Sequence, residues 1–214
     1  MGLERIEVDG DPSVRGVLHV APGADGLVLT HGAGGNRDAP LLVAVAAAFA
    51  ARGVSVLRCD LPYRQARPRG APSPAGAARD REGLRAALAV LRDRLGGRLF
   101  LGGHSYGGRM ASMLVADDPA LAAALLLQSY PLHPPGQPER LRVDHLPRLR
   151  TPTVFVHGAT DPFATAEELA RARALVPART ALVAVAGGHD LGWGTARRDG
   201  QLPEKIAAAV LDVI

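Results

Sequence analysis

Ser105 stands in the string Gly103-His104-Ser105-Tyr106-Gly107, which Gly108 extends. Glycines two positions to either side of a serine remove the side chains that would block a sharp strand-to-helix turn, and such a turn holds the hydroxyl out as a nucleophile. A helix opening at that serine also aims free N–H groups at the reacting centre. A serine nucleophile needs a base to take its proton and a carboxylate to keep that base in the right tautomer. His189, in Gly187-Gly188-His189-Asp190, and Asp161, in Gly158-Ala159-Thr160-Asp161-Pro162-Phe163, supply these in the chain order Ser, Asp, His. Asp190 is a rival acid, although a sequence neighbour usually points away from the ring, and Asp60 is a weaker one. A second glycine-rich string, His31-Gly32-Ala33-Gly34-Gly35, lets backbone approach a substrate closely. The backbone N–H groups of Ala33 and Tyr106 are the expected donors to the oxyanion of a tetrahedral intermediate. The chemistry this set can perform is acyl transfer: Ser105 attacks an ester or thioester, an acyl-enzyme forms, and water releases the acid. It calls for no metal and no organic cofactor.

Other groups fit other chemistries less well. The string at 31–35 lacks the Gly-Lys-Ser/Thr of a phosphate loop, since Asn36-Arg37-Asp38 follows it. Cys59 lies within an apolar run without a glycine elbow and reads as core. His19, His133, His145 and His157 show no metal-ligand spacing. His31 reads first as a structural residue at a strand end, and Met110 and Met113 as core. The candidate substrate contacts are His31, Gly32, Tyr63, Arg64 and Arg109. Arg109, four residues past the nucleophile, either faces the pocket or packs along its helix.

The elements that must position these groups alternate between short apolar strands and Ala-rich helices, the pattern of a mainly parallel sheet covered on both faces. Strands are expected at 14–21 (paired with 6–8), 26–30, 54–59, 98–101, 122–128, 153–156 and 180–185. Helices are expected at 40–52, 77–95, 105–116, 165–175 and 203–214, the first with Pro40 at its first turn and Gly53 just past its end. Residues 60–76 and 129–150, rich in proline, read as surface loops, the second with at most one short helix. Both loops lie beyond strand ends, where substrate is chosen, and they carry Arg64, Arg67, Arg69, Arg140 and Arg142. No internal repeat interrupts the 214 residues, so one domain spanning 1–214 is expected.

Composition bounds the partners. The formal charge is +4, but Lys205 is the only lysine, and the arginines are interleaved with acids, as in Arg92-Asp93-Arg94. Aromatic residues make up 4% of the chain, too few for the stacking platforms of single-strand binding, so no nucleic acid partner is expected. The longest uncharged apolar run, 41–51, is shorter than the roughly 20 residues that span a bilayer. The segment from Met1 to Glu7 has no apolar stretch of a signal peptide. The expectation is a cytoplasmic protein with a small-molecule acyl substrate and no membrane insertion.

Several strings taken together resemble a known group. They are His31-Gly32-Ala33-Gly34-Gly35, Asp60-Leu61-Pro62-Tyr63-Arg64, Ser105-Tyr106-Gly107-Gly108-Arg109-Met110-Ala111-Ser112-Met113, Tyr130-Pro131-Leu132-His133-Pro134-Pro135-Gly136, Asp161-Pro162-Phe163 and Gly188-His189-Asp190. They resemble the small α/β-hydrolases of the dienelactone-hydrolase-like group, including the testis-expressed protein 30 type. The resemblance covers nearly the whole chain. It implies a three-layer α/β-hydrolase fold without a cap domain and a triad of Ser105, Asp161 and His189. This chain has serine where dienelactone hydrolases proper have cysteine. Two rivals share the same residues: a non-catalytic interaction protein on this fold, and an acyltransferase that uses the same triad.

Overall fold

The computed structural model describes residues 2–134, 136–194 and 198–214. Met1, Pro135 of the second proline-rich loop and residues 195–197 lie outside the described residues. Eight strands form one sheet: β1 (Gly2–Val8), β2 (Val14–Val20), β3 (Gly26–Thr30), β4 (Ser55–Cys59), β5 (Leu99–His104), β6 (Ala124–Gln128), β7 (Thr153–Gly158) and β8 (Thr180–Val185). Their spatial order is β1-β2-β4-β3-β5-β6-β7-β8. The pairs β1–β2 and β2–β4 are antiparallel, and β3 through β8 continue in parallel. The helices are α1 (Pro40–Ala51), α2 (Pro62–Ala66), α3 (Ala77–Arg92), α4 (Tyr106–Asp117), α5 (Ala166–Ala174) and α6 (Leu202–Val213).

The period of two along each strand divides the apolar residues between two cores. Val28, Leu57, Leu101, Leu125 and Phe155 pack with α3, α4 and α5 on one face. Leu27, Val56, Phe100, Leu126 and Val154 pack with α1 and α6 on the other. Because both faces are covered, the central strands are mostly apolar, and all five positions of β3, β4 and β6 are buried, Thr30, Ser55, Arg58 and Gln128 included. Each fully buried leucine contributes about 1.5–3 kcal/mol of transfer free energy. The rim is different. Ile6 is the one buried residue of β1, and the last strand, β8, leaves Leu182 exposed.

Two expectations need correction. Residues 60–76 are not simply a surface loop, because they contain α2 and a 3-10 turn at Pro74–Gly76. Pro62 opens α2, where its missing N–H costs nothing, and Pro62, Tyr63 and Arg64 are all buried. The proline, arginine and glycine content of this stretch conceals a short helix held by tertiary contacts. The strands entering the site also run further than their apolar residues. β5 continues through Gly102 and Gly103 to His104, and β7 continues to Gly158. In β5, a Cβ on Gly102 would lie 2.8 Å from the Leu126 side chain, so the glycine permits close strand approach there.

Candidate active site

The β5–α4 turn builds the centre of the site. Ser105 has φ 50° and ψ −116°, a region that a residue with a Cβ occupies only when its surroundings hold it there. Its N–H donates to the Gln128 carbonyl at 2.7 Å, which ties the turn to the end of β6. A Cβ on Gly103 would come within 2.7 Å of the Gly107 backbone, and one on Gly107 would collide with the His31 carbonyl. Bare backbone at these two positions is therefore a steric requirement of the turn. Ser129 and Leu191, at φ 49° and 56°, are the other non-glycine residues in the left-handed region among those described. They follow β6 and His189, so the strained backbone gathers around one place.

The loops after β7 and β8 bring His189 and Asp161 to that place. Ser105 Oγ lies 2.8 Å from His189 Nε2, and His189 Nδ1 lies 2.8 Å from Asp161 Oδ2 and 3.0 Å from Oδ1. The Asp161 side chain is fully buried, and its Oδ1 also accepts the Phe163 N–H at 2.9 Å. The rival acids are engaged elsewhere. Asp190 accepts the N–H groups of Gly192 and Gly194, and Asp60 accepts Arg37 through both backbone and side chain.

Sequence reasoning passed over the residues that hold His189. Its ring is tilted against Phe163, with centroids 4.2 Å apart, and meets His104 edge-on at 5.1 Å. His104 Nε2 lies 2.8 Å from the His189 carbonyl. Burial drives the His104 pKa down to about 4, so its ring is neutral and can donate that N–H to the carbonyl. Position 104 adjoins Ser105, and that adjacency was the available signal.

A second network, also unforeseen, braces the loop at 31–35. Asp80 on α3 is buried and accepts the Tyr106 hydroxyl at 2.7 Å and the Tyr63 N–H at 3.0 Å. Burial and this hydrogen bond push the Tyr106 phenol well above the ordinary tyrosine range, so it remains a donor. The Tyr63 hydroxyl donates to the carbonyls of Gly32 and Ala33, and Arg64 donates to those of Ala33 and Gly35. A trans peptide sends its C=O and N–H in opposite directions. Fixing the Gly32 carbonyl toward Tyr63 therefore turns the Ala33 N–H the other way. Tyr106, as the first residue of α4, has an N–H without an intrahelical acceptor.

The candidate contacts thus separate. Tyr63 and Arg64 brace the loop and do not line the cavity beside Ser105. His31 borders that cavity, but its ring is fully buried between the Gly32 carbonyl and the Leu61 N–H. Gly32 and Arg109 do line it, and so does Met113, whereas Met110 is core. The cavity measures about 930 Å³ and draws walls from both proline-rich loops, through Pro72, Ser73, Pro131 and Arg142. Trp193, beyond His189, adds a wall that the sequence reading did not anticipate. Of the five loop arginines, Arg142 alone lines the cavity, while Arg67 and Arg140 make contacts within their own loops.

Cys59 is buried, and burial pushes its thiol pKa up to about 12. Iodoacetamide is therefore expected to leave it unmodified in the native protein at pH 8 and to label it fully in denaturant, as intact mass would show. Rapid native labelling would reveal a thiol more accessible than this packing allows. Among the described residues no group of three or more His, Cys, Asp or Glu is arranged to hold a metal ion. None of the described helices is long and apolar enough to cross a membrane.

A serine on a strained elbow, hydrogen-bonded to a histidine over the ends of a β1-β2-β4-β3-β5-β6-β7-β8 sheet, is the architecture of an α/β hydrolase. The profile of the alpha/beta hydrolase domain matches residues 24–214, and the chain belongs to that family. Among solved structures, the chain is similar to Est1E from Butyrivibrio proteoclasticus, solved with ferulic acid bound. The identity is 16%, over 97% of this chain and 98% of that one, with a TM-score of 0.76. It is similar to a dienelactone hydrolase from Anabaena variabilis at 22% identity, over 100% and 98% of the two chains, also with a TM-score of 0.76. A serine hydrolase without lid from Xanthomonas campestris matches at 16% identity, over 98% and 94%, with a TM-score of 0.72. At these identities the likeness is one of fold.

Proposed function

We propose that the protein is a serine hydrolase that cleaves a carboxylic ester or thioester of a small molecule through an acyl-enzyme on Ser105. The observation that carries the reading is the continuous series Asp161–His189–Ser105, with both links at 2.8 Å. Asp161 holds the proton of His189 on Nδ1, which leaves Nε2 free to accept the Ser105 proton. Ser105 Oγ then bonds to the carbonyl carbon, and the oxygen that gains charge meets the N–H groups of Ala33 and Tyr106. The C–O or C–S bond breaks as His189 returns the proton to the leaving alcohol or thiol. Water attacks the acyl-enzyme, gives its proton to His189, and frees the acid and Ser105. The fold neighbours support the reading, since they include a dienelactone hydrolase and a serine hydrolase without lid. The dienelactone-hydrolase-like group, with its testis-expressed protein 30 type, is the subdivision whose motifs the chain carries.

A fluorophosphonate probe is expected to label Ser105, with peptide mass spectrometry placing the adduct. Folded protein that stays unlabelled would remove the proposal. Among the described residues, the stretch between β6 and β7 holds a 3-10 turn at Leu146–Arg148 and no α-helix that would roof the cavity. Acetyl and butyryl p-nitrophenyl esters are accordingly expected to exceed the dodecanoyl ester in kcat/KM by about tenfold, one misplaced 1.4 kcal/mol of binding. The reverse order would show that the cavity takes extended chains.

A further inference from the structure

Two arginines on the cavity wall have no use in the chemistry above. Helix α4 presents Tyr106, Arg109 and Met113 to the cavity, one face at helical spacing. The Arg109 N–H donates to the Ser105 carbonyl at 3.0 Å, so its side chain starts one turn from the nucleophile. Arg142 reaches the same cavity from the loop after β6, anchored by its N–H on the Leu132 carbonyl at 2.7 Å. Neither guanidinium has a carboxylate partner among the described residues. Arg109 Nε is buried without an acceptor, and burial together with the Arg109 charge lowers the pKa of Arg142.

Two carboxylates, Asp117 and Asp144, act on the adjoining His145, and neither forms an ion pair with Arg109 or Arg142 among the described residues; Asp117 is taken by Arg148. Burial, then the Arg109 charge, brings the His145 pKa down to about 4, so that ring is neutral; its Nε2 lies 2.8 Å from the Ser112 hydroxyl. Burial pushes the Tyr130 phenol up to about 12, and its hydroxyl donates to the Arg142 carbonyl. The two buried arginines among the described residues are satisfied, Arg64 by carbonyls and Arg58 by His19 and Asp38. Arg37 and Arg173 also leave Nε unpaired, but Arg37 is held by Asp60 and Arg173 by Thr180, and neither lines the cavity. Arg109 and Arg142 are both half-buried, and Arg142 Nη1 has only a long contact with the Pro131 carbonyl at 3.5 Å. Two like charges facing one cavity are costly unless an anion arrives to accept their remaining N–H groups.

We infer that Arg109 and Arg142 form a subsite for an oxyanion group, a carboxylate or a phosphate, carried by the substrate a short distance from the carbonyl that Ser105 attacks. The substrate class is then an ester or thioester with a second, anionic end. Its placement relative to Ser105 rests on the serine-hydrolase reading, whereas the anion site itself does not.

The test uses Ser105→Ala protein, which can bind esters without consuming them. By calorimetric titration, monomethyl glutarate is expected to bind at least about tenfold tighter than dimethyl glutarate, as charged hydrogen bonds provide. Arg109→Gln and Arg142→Gln, each added to that background, are expected to erase the difference. Propyl phosphate separates the two sources: tighter binding than monomethyl glutarate assigns the subsite to phosphate, weaker binding to carboxylate. Equal binding of the mono- and diesters, absence of binding, or a preference that persists in both arginine variants would overturn the subsite. With Ser105 present, anion-selective binding without any hydrolysis would strike the acyl-enzyme reading alone. Hydrolysis with no preference for the anionic ester would strike the subsite alone.

Discussion

Ser105→Ala is expected to lower kcat/KM for p-nitrophenyl butyrate by about 10⁴-fold or more, and to abolish fluorophosphonate labelling. The size follows from what the substitution leaves behind. His189 and Asp161 stay in place, and the N–H groups of Ala33 and Tyr106 still meet an oxyanion, so a residual rate above that of water alone survives. Covalent catalysis does not. Folding should barely notice the change: alanine keeps the Cβ that Ser105 already places at φ 50°, and only the 2.8 Å bond to His189 disappears. Unfolding free energy should therefore move by only about 1 kcal/mol. Thermal melting beside turnover makes the comparison clean. A variant that melts with the parent and retains a tenth of its activity would show that the nucleophile lies elsewhere. A folded parent that neither turns over esters nor takes the probe would point to an interaction protein on the same fold. Product analysis in the presence of an alcohol would separate a hydrolase from an acyltransferase.

What could be read in the chain depended on whether a local rule or a tertiary contact governed each feature. Alternating strands and helices, the turn at Ser105 and the buried, mostly apolar central strands follow from periodicity and glycine placement, and all are present. Helix α2 escaped because proline, arginine and glycine signal a loop, while its stability comes from burying Tyr63 and Arg64. The bracing role of Asp80 was equally hidden: a lone aspartate in an exposed-looking helix start acquires meaning only when Tyr63 and Tyr106 arrive from other elements. Phe163 follows Asp161 by two residues, yet nothing in the order of residues says that its ring will cover His189. Arg109 was ambiguous for a similar reason, since a helical position four past the serine can point along the helix or outward. The packing of α4 against β5 and β6 turns it to the cavity.

Asp161→Asn should lower kcat about 10⁴-fold while leaving the local backbone intact. Asp161 serves two donors at once. Its Oδ1 takes the Phe163 N–H at 2.9 Å, and its Oδ2 takes His189 Nδ1 at 2.8 Å. The Phe163 N–H can only donate, so in the variant it retains the amide oxygen, and the amide NH2 is left facing the imidazole. His189 Nδ1 must then accept, its proton moves to Nε2, and Nε2 can no longer receive the proton of Ser105. Asparagine forms the turn at 161–163 as readily as aspartate, so a role confined to shaping that turn would leave activity near that of the parent. Turnover within tenfold of the parent would accordingly move the acid elsewhere. It could not move to Asp190 without cost, because both oxygens of that carboxylate already hold the N–H groups of Gly192 and Gly194. Asp161→Ala makes the complementary comparison. It strips the Phe163 N–H of its partner as well, so it should lower the melting temperature together with the rate, whereas Asp161→Asn should lower the rate alone.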